Sequence, residues 1–480
     1  MRFMIRLLIL VTLSLASAAT AQQRPAAIVS TNLWSQLGNT PAHASTARTE
    51  PVDLSSPIWI ADGDTSTRLA FLPQSGIVAD QTSLYALGYD LSNPSSDLLA
   101  CFDQNTGALR WTAPVPFGIL DSWSTPAIDL ASSTIFVASG AFITAFDTTT
   151  GNLRWQSPLD KPVVNASPVV TPDLRAADRL FITDYSFGSP NPGALYCINI
   201  DPYHPVLNPY QPGERVWSVG LGGATSGNTT AYAHGKVFVS TANSASTNGL
   251  VHRFDARATA APSPDWTTAN PLPFGFYSGV SFSGGAVYAS SYNFTSGHLN
   301  SNTLKLNANT GVILWSTPSN RTDVAPIILS DDRVLVSGGP PAGVFTFFGS
   351  RPSIALYTAS GELLWDTALA THDDTNSNGT SEPGEPYLSV GGWTHLPILV
   401  EHDNQHFLYT GSLADPDMHG FYAPCTDLRL LNLDLPPTDP GFVVDRFQGA
   451  GTTPAITNRC LFTLGGSGIH SFAPQQTRSR

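Results

Sequence analysis

Asp103-Gln104-Asn105-Thr106-Gly107-Ala108-Leu109-Arg110-Trp111 is the stretch that decides the fold, because the chain repeats it. It returns as Asp147-Thr148-Thr149-Thr150-Gly151-Asn152-Leu153-Arg154-Trp155 and as Asn307-Ala308-Asn309-Thr310-Gly311-Val312-Ile313-Leu314-Trp315. Ala359-Ser360-Gly361-Glu362-Leu363-Leu364-Trp365 is a shortened copy. In each, an apolar run ends at a small polar residue, a tight turn follows, and a second run closes on Trp. An Asp or Asn side chain accepts from backbone N–H groups two residues on, and Gly takes the positive φ of the turn. The flanking runs then pair as a hairpin. Trp has a large flat face, so one per repeat can cement a unit to its neighbour.

The closing Trp recurs at Trp59, Trp111, Trp155, Trp217, Trp266, Trp315 and Trp365, and the last three steps are 49, 49 and 50 residues. A second signature precedes each hairpin: Thr125-Pro126-Ala127-Ile128, Ser167-Pro168-Val169-Val170, Ala325-Pro326-Ile327-Ile328, Leu396-Pro397-Ile398-Leu399 and Thr453-Pro454-Ala455-Ile456. Pro is tolerated at the first residue of a strand, where no ladder donor is missed. Weaker openings near Phe71, Asn228 and Ser278 bring the count to eight. Units of this length with about four short strands fit propeller blades. The last unit lacks a closing Trp strand, while Ser56-Pro57-Ile58-Trp59-Ile60 precedes the first full unit. The expectation is an all-β, eight-bladed β-propeller closed by that N-terminal strand, with seven blades as the alternative.

Composition agrees: 40 Gly and 38 Pro against only 12% charged residues favour many turns over long surface helices. The net charge of −13 and the absence of any Lys/Arg cluster argue against a nucleic-acid partner. Arg2 and Arg6, an apolar run from Leu7 to about Ala18, and Ala19-Thr20-Ala21 read as a secretory signal peptide cleaved near Ala21. The chain then divides into a leader (1–21), an extended arm (22–55), a propeller (56–473) with an insertion at 371–392, and a disordered tail (474–480). An exported, periplasmic or extracellular protein that does not span the membrane and is a monomer is expected. Of four cysteines, Cys101 and Cys197 occupy equivalent places in separate repeats and should not bond. Cys425 and Cys460 fall in adjacent repeats and could pair.

The D-x-x-T-G-x-x-x-W hairpin with its upstream x-P-A-[IV] strand resembles the pyrroloquinoline quinone (PQQ) repeat. Nearly all of residues 56–473 resemble the PQQ-like propeller superfamily, which includes quinoprotein alcohol dehydrogenases and the barrel-assembly lipoprotein propeller. The resemblance implies a blade-docking role for the repeated Trp. The dehydrogenases use a vicinal cysteine pair and an axial calcium; this sequence has no adjacent cysteines, so PQQ is not expected.

Residues just before each inner strand should rim the axis: Trp123, Asn165, Asn228, Tyr277, Asp323, His395 and Thr453. Polar and aromatic groups converging on a concavity make a ligand site, or else a solvated rim. Asp323 and His395, from neighbouring blades, could form an acid/base pair. Residues 374–385 satisfy D-x-[DN]-x-[DN]-G-x5-E: Asp374, Asn376, Asn378, the Thr380 carbonyl and Glu385 would give Ca²⁺ an oxygen shell, with Gly379 at the bend. The alternative is a polar insertion without metal. The segments Glu401–His406 and Asp415–Gly420 read as solvated turns. The leading functional expectation is an exported, non-catalytic scaffold binding a protein or surface polymer. The alternatives are a divergent PQQ-dependent oxidoreductase, and a small-molecule or saccharide binder at the axial mouth.

Overall fold

The computed structural model describes residues 33–71, 75–116, 124–189, 191–243, 248–295, 297–340, 350–370, 388, 390–411 and 427–474. They form eight sheets, each with four antiparallel propeller strands. The innermost strands are Val78–Ala79, Ala127–Asp129, Val169–Val170, Ala231–Ala233, Ser281–Ser283, Ile327–Ile328, Ile398–His402 and Ala450–Thr457, in blades 1 to 8. The opening of blade 1 therefore lies at Val78, not near Phe71; Leu69–Phe71 pairs with the far end of the same second strand. Blade 8 takes its outer strand, Trp59–Ala61, from the N-terminal end, paired antiparallel with Gly468–Phe472. The ring thus closes as an eight-bladed propeller, which removes an exposed sheet edge.

The repeat works as its residues dictate. Asp103 Oδ1 accepts from the Asn105 and Thr106 N–H groups (3.0 and 2.9 Å), and Gly107 has φ 71°. Asp147 and Asn307 cap their turns in the same way. Trp59, Trp111, Trp155, Trp266 and Trp315 each lie over the turn glycine of the next blade. A Cβ on Gly107 would sit 2.7 Å from Trp59, one on Gly151 2.6 Å from Trp111, and one on Gly213 2.8 Å from Trp155. The indoles of Trp111, Trp217, Trp266 and Trp315 donate to carbonyls of the following blade at 3.0–3.2 Å. Glycine is required twice at these turns, by its φ and by the ring against it.

Blade 7 breaks the pattern. The register that pairs Cys101 with Trp111 pairs Leu430 with Asp445, so a carboxylate stands where Trp is expected. The N-terminal arm fills that junction instead. Asp445 accepts from the Leu54 N–H (2.8 Å), the Tyr409 hydroxyl donates to Val52 O (3.1 Å), and Val52 and Leu54 are buried in the core shared by blades 7, 8 and 1.

Before that junction the arm passes through the axis. Inner strands present backbone N–H groups to the channel, and buried donors require partners. The carbonyls of Trp34, Ser35, Pro41, Ala42 and Ser45 accept from Ala79, Ile128, Tyr232, Phe282 and Leu399, and Gln36 Oε1 accepts from Val170. Arm residues thus meet blades 1, 2, 3, 4, 5 and 7 in ring order. Thr46–Ala47 then runs parallel to Leu399–Val400 of blade 7. The extended arm inferred from sequence is an axial lacing that plugs one end of the channel.

Candidate functional site

Antiparallel strand order puts two kinds of connection at each face. The plugged face carries the tight turns and the loop before Arg215–Gly220; the other, the mouth face, carries the starts of the inner strands and the loops after the second strands. Between the plug and the mouth lies an axial cavity of ≈ 30 Å³, walled by Leu37 and His43 of the arm and by Thr125, Asn165, Asp323 and Thr394 among others. Hydroxyls link blades around it: Thr125 Oγ1 accepts from Gly76, Ser167 Oγ from Thr125, and Thr229 Oγ1 from Ser167, at 2.8–2.9 Å.

The residues expected at the rim separate here. Asn165 and Asp323 line the cavity. Asn228 is fully buried, and its amide braces blades: Nδ2 donates to Phe276 O (2.6 Å) and Ser240 Oγ (3.0 Å), and Oδ1 accepts from Ser226 N–H. His395 turns Nε2 to the Gly411 N–H (2.9 Å), and burial lowers its pKa to about 3. It is therefore a neutral imidazole whose Nε2 is engaged by that N–H rather than by Asp323. Tyr277 donates to Asn243 Oδ1 (3.0 Å), and burial raises its phenol pKa. Trp123 and residues 374–385 lie outside the described residues. Glu401–His406 is the tight turn between two strands of blade 7. Cys101 and Cys197 are buried free thiols in separate blades, and Cys460 is a partly exposed free thiol; Cys425 lies outside the described residues.

Asp323 is the most perturbed acid of the cavity. Burial alone pushes its pKa up to about 8, and its Oδ1 has no hydrogen-bond partner. Its own N–H donates to Trp393 O (2.6 Å), which fixes it to the loop entering blade 7.

Sequence reasoning missed the aromatic cluster on the mouth side. Phe187 stacks on Phe294 (6.0 Å, 13°), Tyr277 meets both edge-on, Tyr292 lies 4.7 Å from Phe294, and Trp393 closes on Tyr292 at 5.4 Å. Phe187 and Phe294 are 44% and 50% exposed, enough for a partner to touch. Arg321 is buried beneath, 5.7 Å from the Tyr292 centroid, with Nη2 donating to Thr295 O and Gly297 O. The overlooked signal was aromatic residues just past a middle strand, in Asp184-Tyr185-Ser186-Phe187 and Tyr292-Asn293-Phe294.

The cavity does not fit a tricyclic quinone. Ligand pockets for molecules of drug size run to roughly 300–1,000 Å³, whereas Leu37 and His43 leave ≈ 30 Å³ on this axis. Among the described residues no cysteine lines it. A second cleft of ≈ 360 Å³ lies on the plugged face between blades 7 and 8, where Arg48 pairs with Glu401 (3.4 Å) and Arg459 with Glu50. Among the described residues no helix is long and apolar enough to cross a membrane.

Comparison with known proteins agrees with the architecture. The profile of the family described as outer membrane protein assembly factor BamB matches residues 95–185 and 206–391, more than half of the chain. A search of curated proteins finds no match. Among solved structures, a europium-containing methanol dehydrogenase is similar with a TM-score of 0.62 at 10% identity, over 92% of this chain and 91% of that one. The quinohemoprotein alcohol dehydrogenase ADHIIG of Pseudomonas putida HK5 gives 0.58 at 9% identity, over 92% and 77%. BamB of Moraxella catarrhalis gives 0.50 at 15% identity, over 84% and 97%. Identities this low carry the fold alone. The repeats, the eight blades and the profile match together place this chain in the BamB family of PQQ-like β-propellers.

Proposed function

We propose that the chain is an exported, non-catalytic propeller that holds another protein or a surface polymer on its mouth face. The observation that carries this reading is the contrast along the axis: arm residues fill the channel, while Phe187 and Phe294 project at the mouth. Exposed aromatics on a rigid frame are favoured contact groups, because they offer large area with little side-chain entropy to lose. The family description, an assembly factor, is consistent with a binding role. Among the described residues no cysteine reaches the axis, and this and the size of the cavity favour the binding reading over a quinoprotein.

Residues 374–385, in the sequence between blades 6 and 7, are proposed to order around Ca²⁺. Calorimetric Ca²⁺ binding that disappears in Asp374→Asn/Glu385→Gln checks this. The scaffold reading is tested by placing a photo-crosslinking residue at Phe187 or Phe294, and at Val206 on the opposite face, in producing cells. A specific adduct from the mouth positions alone is expected. Adducts only from Val206, or from no position, would overturn the reading.

A further inference from the structure

The axial cavity contains more unsatisfied polarity than a structural void should. His43 Nδ1 is 2.7 Å from Val280 O; a carbonyl only accepts, so Nδ1 carries the hydrogen and Nε2 keeps a lone pair. That Nε2, Asp323 Oδ1 and Thr394 Oγ1 are all buried without a hydrogen-bond partner, and all three residues line the cavity. His43, Asp323 and Thr394 come from the arm, the start of blade 6 and the start of blade 7. Among the described residues no lysine or arginine lines the space. Arg321, two residues from Asp323, directs Nη2 to the Thr295 and Gly297 carbonyls. Buried polar groups left unpaired are costly, so a convergence of three calls for an occupant.

The chemistry of the walls selects that occupant. A carboxylate, an imidazole lone pair and hydroxyl oxygens are electron-pair donors and favour a positively charged guest. One water needs roughly 10–15 Å³ of such space, so ≈ 30 Å³ admits a guest of about water size and no organic molecule of any length. A divalent ion wants more than one negative charge, and Asp323 is the one acidic residue among the described residues of this wall. We propose that the axial cavity binds a monovalent cation of about water size, of the ammonium or potassium class, held between Asp323, Thr394 and the His43 ring of the arm. Such an ion ties the arm to blades 6 and 7. It also supplies the counter-charge that Asp323 lacks, and it competes there with a proton.

Thermal unfolding of the purified protein in ammonium, potassium, sodium, calcium and choline chlorides at equal ionic strength tests this. Choline is too large to enter. Ammonium or potassium should raise Tm saturably, by about 1–2 °C at concentrations well above Kd, and more at pH 9 than at pH 6. The increment should vanish in Asp323→Asn and persist in Asp331→Asn, an exposed site in the same blade. Should Asp323→Asn fail to fold, a thallium(I) soak of wild-type crystals gives an independent answer through anomalous density beside Asp323. Thallium is close in radius to both potassium and ammonium and stands in for either. Equal Tm in every monovalent chloride, a response to calcium alone, or no thallium at Asp323 would overturn the proposal.

Discussion

At the scale of single residues, the turn glycines join conformation to docking. Gly151 has φ 70°, and a Cβ there would meet the Trp111 ring at 2.6 Å. Gly188 has φ 76° with nothing within 4 Å. Gly188→Ala should therefore cost only the left-handed backbone strain, about 1–2 kcal/mol. Gly151→Ala should add the overpacking of a seated indole, for roughly 2–5 kcal/mol in all. Urea unfolding of the two variants measures the difference; equal losses would mean that Trp111 does not press on that turn. The buried histidines give a pH signature. Burial lowers His43 and His252 to about 4 and His395 to about 3. The folded state then binds fewer protons than the unfolded state, whose imidazoles titrate near the ordinary value of 6.5. Their contribution is complete above pH 6.5 and is lost as pH falls through 6.5 toward 4. Melting temperature should decline across that window, and His43→Gln should flatten part of the decline. The Asp–x–x–Thr–Gly turn and its Trp were legible because the instructions are local. The environments of Asp323 and His43 were not, since burial is set by chain segments far away in sequence.

At the scale of elements, the arm and the seventh blade explain each other. Blade 7 has Asp445 where its neighbours place Trp, and the arm supplies the missing apolar wedge with Val52 and Leu54. The six inner-strand N–H groups that the arm accepts from are otherwise an open edge. Deleting residues 33–47 should raise amide exchange at Ile128, Tyr232, Phe282 and Leu399 by orders of magnitude and lower Tm by many degrees. Unchanged protection would mean that the arm is not seated on the axis. Sequence reading identified the arm as extended but not its course, because its Ala, Ser and Thr residues show no periodicity. Their role is backbone pairing, for which side chains leave little trace. Blade 1 misled because Ser75-Gly76-Ile77-Val78 lacks the Pro that marked Val169–Val170 and Ile327–Ile328, inner strands as short as its own Val78–Ala79.

At the scale of the whole molecule, ring closure was readable by counting. Eight openings, six Trp strands after the first of them and the orphan Trp59 strand on the N-terminal side favour eight blades over seven, and the pairing of Trp59–Ala61 with Gly468–Phe472 closes the ring that way. Function was less legible, because a propeller frame serves many chemistries and the deciding features are loop side chains brought together from distant repeats. Phe187, Tyr277, Phe294 and Trp393 come from four connections that no local pattern relates. The central claim is that the arm leaves the axis too narrow for a quinone and that the protein acts by binding. It is tested most directly by titrating the purified protein with PQQ, with and without Ca²⁺, while following Trp fluorescence. A flat trace is expected. Saturable quenching at micromolar PQQ or below would contradict the account.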